Sequence, residues 1–238
     1  MQPVTEIGYY QQLAYNLDNF KKTMINLDKD VRLLVDGDMY ISDNSVRTAA
    51  GQAIKAIYTD GSFEDNLAAG VQFYSDNRFI RAIIKYAELQ AQYTDVYFYQ
   101  FSYHGALGGN DVYVKLCLNF FVKISIFKQG CGRVAHAEDT RYIWAAQSGT
   151  DLGQYSAADV TTLDRYVTLF TNFAKTLNPT PEQSELLQNI IWPKVSANNF
   201  NYLDIDENLE IKQNPREFSY QKWVEVYETY ATKPFISF

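Results

Sequence analysis

Nine consecutive residues, Asp95–Tyr103 (DVYFYQFSY), constrain the fold more than any other stretch of this chain. They are β-branched, aromatic and almost wholly apolar. Such a run reads as a strand covered on both faces, as in a parallel sheet. A strand of that kind needs helices packed against it, and the sequence around it supplies them. In Ser45–Tyr58, Val46, Ala49, Ala50, Ala53, Ile54 and Ile57 recur at three- and four-residue steps. In Asn77–Gln92, Phe79, Ile80, Ile83, Ile84 and Ala87 do the same, and Ser75 or Asp76 is placed to cap that helix. Ser156–Lys175 is a strong amphipathic helix with Ser156 as its cap. Its apolar stripe runs through Val160, Leu163, Val167, Phe170 and Phe173/Ala174. Pro179 and Pro181 cannot continue it. Asn201–Asp204 and Leu209–Lys212 read as two short strands joined by a turn, and Phe218–Tyr230 as a last helix. Long helices around a buried apolar strand predict an α/β fold rather than an all-α one.

The chain has 238 residues, enough for one domain with a real core or for two small ones. Its formal charge of −7 argues against nucleic-acid binding, which needs clustered Lys and Arg, and against an anionic membrane surface. The 19 Tyr and 15 Phe fill cores, and they also line pockets for apolar organic ligands. Cys117 and Cys131 are too few for a disulfide framework and lack metal-site spacing, although one bridge stays open. The N-terminus, MQPVTEIGYYQQ, lacks the basic and apolar pattern of a signal peptide. Localisation and oligomeric state are left open.

From about Tyr58 onward, six segments follow one another: YTDGSF, YSDNRFIRAIIKYA, VYFYQFSYHG, GCGRVAHAEDTRYIW, DRYVTLFTNFAKTLNPTP and WPKVSANNFNYLDIDENLEIK. In that order they resemble the type-B carboxylesterase family, which includes the cholinesterases, with insect-type esterases nearest. The resemblance implies an α/β-hydrolase fold and a Ser-Glu-His triad in that chain order. His136 stands where the family keeps its catalytic histidine. An imidazole there takes the nucleophile's proton and passes it to the leaving alcohol. A lone loop histidine is more often simply hydrogen-bonded to backbone, but the surrounding motif reverses those odds. His104, at the end of the strand, matches no motif residue and reads as ordinary. The family's acid lies upstream, and VTEIGYYQ puts Glu6 at its place, with Ile7 interrupting the usual Glu-Gly pair. A carboxylate orients the imidazole and stabilises its cation. The bland alternative for Glu6 is a solvated residue near a helix start.

No Gly-x-Ser-x-Gly elbow and no upstream Gly-rich oxyanion loop occurs in the sequence. The resemblance therefore implies that residues 1–238 are the C-terminal part of a carboxylesterase domain whose nucleophile lies elsewhere. Such a part is inactive alone, because acyl transfer needs a nucleophile and oxyanion donors. The whole protein is expected to hydrolyse a small-molecule carboxylic ester, with no metal or organic cofactor implied. The alternative is a catalytically silent, cholinesterase-like adhesion or binding protein. His136-Ala137-Glu138 resembles the His-x-Glu of zinc deaminases but lacks their downstream Pro-Cys-x-x-Cys. Asp139 reads as a cap for the helix after it, and Asp76 as another cap. Trp192 and Trp223 read as core.

One segment does not fit the resemblance. Val112–Gln129 (VYVKLCLNFFVKISIFKQ) separates two loops that the family joins more directly. It is shorter than the roughly 20 apolar residues a membrane span needs. A strand so apolar is an aggregation hazard if exposed. It also reads as a translated intron: valine codons begin with GT, and glutamine can be CAG. Removing it shortens the Glu6–His136 interval from 130 to 112 positions, the interval the family shows. Amplified across Asn110–Gly132, cDNA should then be shorter than genomic DNA by 54 bases, three for each of the 18 residues. A mature transcript that keeps those bases in every clone would show the segment to be protein.

Overall fold

The computed structural model describes residues 17–108, 134, 136–144, 151–196 and 199–234. Glu6, Cys117, Cys131 and Val112–Gln129 lie outside them. In chain order the helices are α1 (Leu17–Lys29), α2 (Asn44–Tyr58), α3 (Leu67–Ser75), α4 (Arg81–Gln90), α5 (Thr140–Trp144), α6 (Ala157–Thr176) and α7 (Glu217–Tyr230). The strands are β1 (Tyr99–Phe101), β2 (Asn201–Ile205) and β3 (Leu209–Gln213). The described residues divide into two compact units, one of residues 17–86 and 216–234, the other of residues 87–108 and 134–215.

The first unit is helical. Asp43 caps α2 by accepting from the Ser45 and Val46 amides, satisfying donors that a helix start otherwise leaves open. Phe20, Met24, Leu34, Met39, Ile54, Phe63, Val71, Phe73 and Trp223 make its core, so Trp223 is core as expected. Several polar groups inside that core are paired with one another. The Trp223 indole donates to the Tyr58 hydroxyl (2.7 Å), which donates to Asp76 (2.9 Å). Asp76 also receives two bonds from the Arg216 guanidinium, at 3.1 and 3.0 Å. Nearby, Arg81 pairs with Asp36 and lies 5.0 Å from both the Trp223 and Tyr227 rings.

This network overturns the cap expected at Ser75 or Asp76. Residues Asp76–Ile80 form a π-helical turn between α3 and α4, so no helix starts there. Ser75 is itself helical, and its hydroxyl donates back to the Val71 carbonyl. The Asp76 carboxylate is held by Arg216, 140 positions away, a partner that a local cap motif cannot reveal.

The second unit is built on a three-stranded sheet of order β1-β2-β3. β1 pairs with β2 in parallel and β2 with β3 antiparallel. The predicted hairpin therefore forms, and the predicted central strand does run in a parallel pair. Its ladder is shorter than the sequence suggested. Ahead of Tyr99 the chain stays extended enough for the Phe98 and Val96 carbonyls to accept from the Leu203 and Val195 amides. The strand's faces also differ. Tyr99 and Phe101 pack on α6 and its neighbours, whereas Gln100 and Ser102 bond the buried Asp204 on the other side. Trp192 is buried here, its indole donating to the Phe98 carbonyl.

Helix α6 carries the Ser156 cap as expected, but its buried face is rotated from the predicted stripe. Asp159, Thr162, Tyr166 and Leu169 face inward, while Val167 and Phe173 are about two-fifths exposed. Leu163 and Phe170 of the predicted stripe do pack against the core, but three of the four fully inward residues carry polar atoms, which an apolar-stripe reading passes over.

Removing one partner of a buried ion pair leaves the other charge uncompensated. Asp76→Ala should accordingly destabilise the first unit by about 3–5 kcal/mol in urea denaturation followed by Trp fluorescence. A loss below about 1 kcal/mol, the range of exposed pairs, would contradict this account.

Candidate active site

The site begins where β1 ends. After Tyr103 the chain passes the half-buried His104 and enters the 3-10 turn Ala106–Gly108. The next described stretch of this region, His136–Asp139, is a tight turn leading into α5. His136 is exposed on that turn. Ala137 beside it has a φ of 65°, a left-handed conformation that costs a non-glycine residue energy and persists only where its surroundings enforce it. The Ala137 carbonyl accepts from both the amide (3.2 Å) and the hydroxyl (2.7 Å) of Thr140.

Two carboxylates hold this turn and its helix. Asp139 was expected to cap α5, but its side chain points elsewhere. Its Oδ2 accepts from the Tyr166 hydroxyl on α6 (2.7 Å) and the Tyr99 hydroxyl on β1 (3.0 Å). The two phenol oxygens are 2.9 Å apart, so the three groups close a triangle. The second carboxylate, Asp159, is 3% exposed. It accepts from the Ser156 hydroxyl (2.6 Å), the Tyr142 hydroxyl (3.2 Å) and, at 3.4 Å, the Leu107 amide. It thereby ties the turn after β1, α5 and the start of α6 together. Gly108 lies against the buried Glu138, where any Cβ would overlap that side chain.

Tyr142 and Tyr166 are buried, which disfavours their anionic form. Burial first, then the neighbouring Tyr99 and the Asp139 charge, push the Tyr166 phenol far above its ordinary value. The Tyr142 phenol is driven the same way by burial and then by Asp159. These phenols remain protonated donors to their carboxylates at any ordinary pH.

The geometry therefore presents one solvent-accessible imidazole on a strained turn whose base is pinned to the sheet and to α6. An imidazole so placed can exchange protons with a reacting group brought to that surface. Glu6 lies outside the described residues. Sequence reasoning missed the Asp139 and Asp159 anchors. Asp159 was findable, since Ser156-x-x-Asp159 is a capping-box pattern. Tyr99 and Tyr166 gave no signal apart from being aromatic residues on core-facing elements. Among the described residues, no group of three His, Cys, Asp or Glu side chains could hold a metal ion, and no helix is long and apolar enough to cross a membrane.

The carboxylesterase family model matches residues 4–223 of this chain. The protein belongs to the carboxylesterase family. Among solved structures, this family member is similar to the juvenile hormone esterase of Manduca sexta with OTFP covalently attached. The TM-score is 0.69 at 20% identity, over 94% of this chain and 39% of that one. It is also similar to a thermophilic pNB esterase, with a TM-score of 0.51 at 16% identity over 74% of this chain and 31% of that one. At these identities the likeness is one of fold, that of the α/β-hydrolase esterases, of which the helix-rich unit and small sheet form a part. Human neuroligin-2 is 24% identical over 194 residues, 74% of this chain and 21% of its own length. Bovine bile salt-activated lipase is 30% identical over 100 residues, 41% of this chain and 16% of its own length. The carboxylesterase chain thus spans about a fifth or less of these curated relatives.

The buried phenols make a pH test possible. A group whose folded-state pKa is raised gives stability that is fully present below its unfolded pKa, about 10 for tyrosine, and lost as pH rises further. The melting temperature should therefore fall steadily above about pH 10. In tyrosinate absorbance, part of the signal from the 19 tyrosines should appear only together with unfolding. Titration of all of them in one step, with far-UV circular dichroism still native, would show that Tyr142 and Tyr166 are not buried as described.

Proposed function

We propose that this chain is the C-terminal part of a carboxylic ester hydrolase that works through an acyl-serine intermediate. His136 is its general acid/base and Glu6 the carboxylate that orients it. The observation that carries this reading is the His136 turn: an exposed imidazole, in the family's motif, on a turn fixed to β1 and α6 through the half-buried carboxylate of Asp139. Membership of the carboxylesterase family supports the reaction class. The nucleophile and its oxyanion donors come from sequence beyond these 238 residues, since no Gly-x-Ser-x-Gly occurs within them.

In the reaction His136 accepts the serine proton as the hydroxyl attacks the ester carbonyl. It then donates that proton to the departing alcohol, leaving the acyl-serine. Water takes the alcohol's place, and the same imidazole activates it to release the acid. Glu6 accepts from the far ring nitrogen and stabilises the imidazolium of each step. The substrate is a small-molecule carboxylic ester whose acyl and alcohol groups this part of the protein does not define. The likeness to neuroligin-2 supports a second reading, in which the whole protein keeps the fold and has lost its nucleophile to become a binding protein.

Assays with an aryl ester such as 4-nitrophenyl acetate separate the two. The 238-residue chain alone should not turn over above a denatured control. The full-length parent should, and His136→Ala in it should lower kcat by about 10³-fold or more. Turnover by the isolated chain that is lost on His136→Ala would overturn the claim that the nucleophile lies elsewhere. A full-length parent with no turnover would favour the binding protein.

A further inference from the structure

We propose that Asp139, together with Tyr99 and Tyr166, is a positioning residue for His136, setting where the imidazole stands when it transfers a proton. The inference rests on the catalytic reading of His136 given above and adds the part of the protein that makes it effective. Asp139 is three residues from His136 and in the same turn. Between them, Ala137 is held in a left-handed conformation with its carbonyl bonded twice to Thr140, so the turn has little slack. Any movement of the Asp139 end is passed to the His136 end.

The Asp139 end is fixed by groups from two other elements. Tyr99 belongs to β1 and Tyr166 to α6, and each phenol directs its single proton to the same carboxylate oxygen. Hydrogen bonds to an ionised acceptor are shorter and stronger than neutral ones. The Tyr166 ring is fully buried and packed edge-on or tilted against Tyr99, Phe101 and Phe170, with centroids 5.9, 5.4 and 4.6 Å away. Its hydroxyl therefore has one place to be. The triangle translates the position of the sheet and of α6 into the position of the histidine turn. Displacement of a reacting group by about 1 Å can cost on the order of a hundredfold in rate, so the device bears on kcat.

The test uses the full-length parent and a double-mutant cycle. Tyr166→Phe and Tyr99→Phe keep the rings and remove only the hydroxyls. Each should lower kcat about ten- to a hundredfold with KM held within about twofold and circular dichroism unchanged. In a His136→Ala background, Tyr166→Phe should change the residual turnover no further, because its effect passes through the imidazole. Asp139→Asn, which keeps the side chain's shape and weakens it as an acceptor, should lower kcat in the same direction. If Tyr166→Phe leaves kcat unchanged while His136→Ala abolishes it, the positioning role is overturned and the catalytic reading stands. If Tyr166→Phe is equally harmful with or without His136, the hydroxyl serves the fold and the proposal is likewise overturned. If His136→Ala retains wild-type turnover, the catalytic reading itself fails and this inference with it.

Discussion

A carboxylate removed from water costs several kcal/mol unless donors replace the solvent it loses. Half-buried Asp139 replaces the water it loses with two phenols, and the placement of the histidine turn follows from how they reach it. Tyr99 must be on β1 in the register that turns it toward α6, opposite Leu203. Tyr166 must be on the inward face of α6, which rotates that helix away from its most apolar stripe. The turn carrying His136 must then come back to the point where the two hydroxyls meet. Asp159 does for α5 and the turn after β1 what Asp139 does for the histidine turn.

The first unit applies the same rule with guanidinium groups and one phenol. Asp76 accepts from Arg216 and Tyr58, and Arg81 donates to Asp36 beneath two aromatic rings. In each case the partners are far apart in sequence, and the pairing is complete enough to keep the polar atoms inside an otherwise aromatic core. Such networks set one arrangement of helices apart from others that would bury a similar apolar area.

That rule also explains what could be read from the sequence and what could not. α2, α7 and the β2-β3 hairpin were legible because their own periodicity and turn residues determine them. The faces of α4 and α6 were legible only in part: Ile84 and Ala87 of the one stripe are buried, and Leu163 and Phe170 of the other pack against the core. Arg81, Asp159 and Tyr166 point inward, and an apolar-stripe reading assigns such residues to solvent. The caps expected from Asp76 and Asp139 failed for one reason. A local motif shows that an aspartate precedes a helical run, but not that a guanidinium or two phenols claim it from elsewhere in the chain. Of the candidate site, the loop-then-helix segment that carries His136 was legible because its motif is local. Its anchors were not, because they come from a strand and a helix 37 positions before His136 and 30 after it.

The central claim is that His136 serves a serine that another part of the same protein supplies. It is tested most directly by sequencing the transcript in frame upstream of the Met1 codon. The account predicts an upstream Gly-x-Ser-x-Gly, and before it a glycine-rich stretch able to donate backbone amides to an oxyanion. Another residue at the serine position, with the flanking glycines kept, would contradict it, and His136 would then be a relic on a carboxylesterase fold turned to binding.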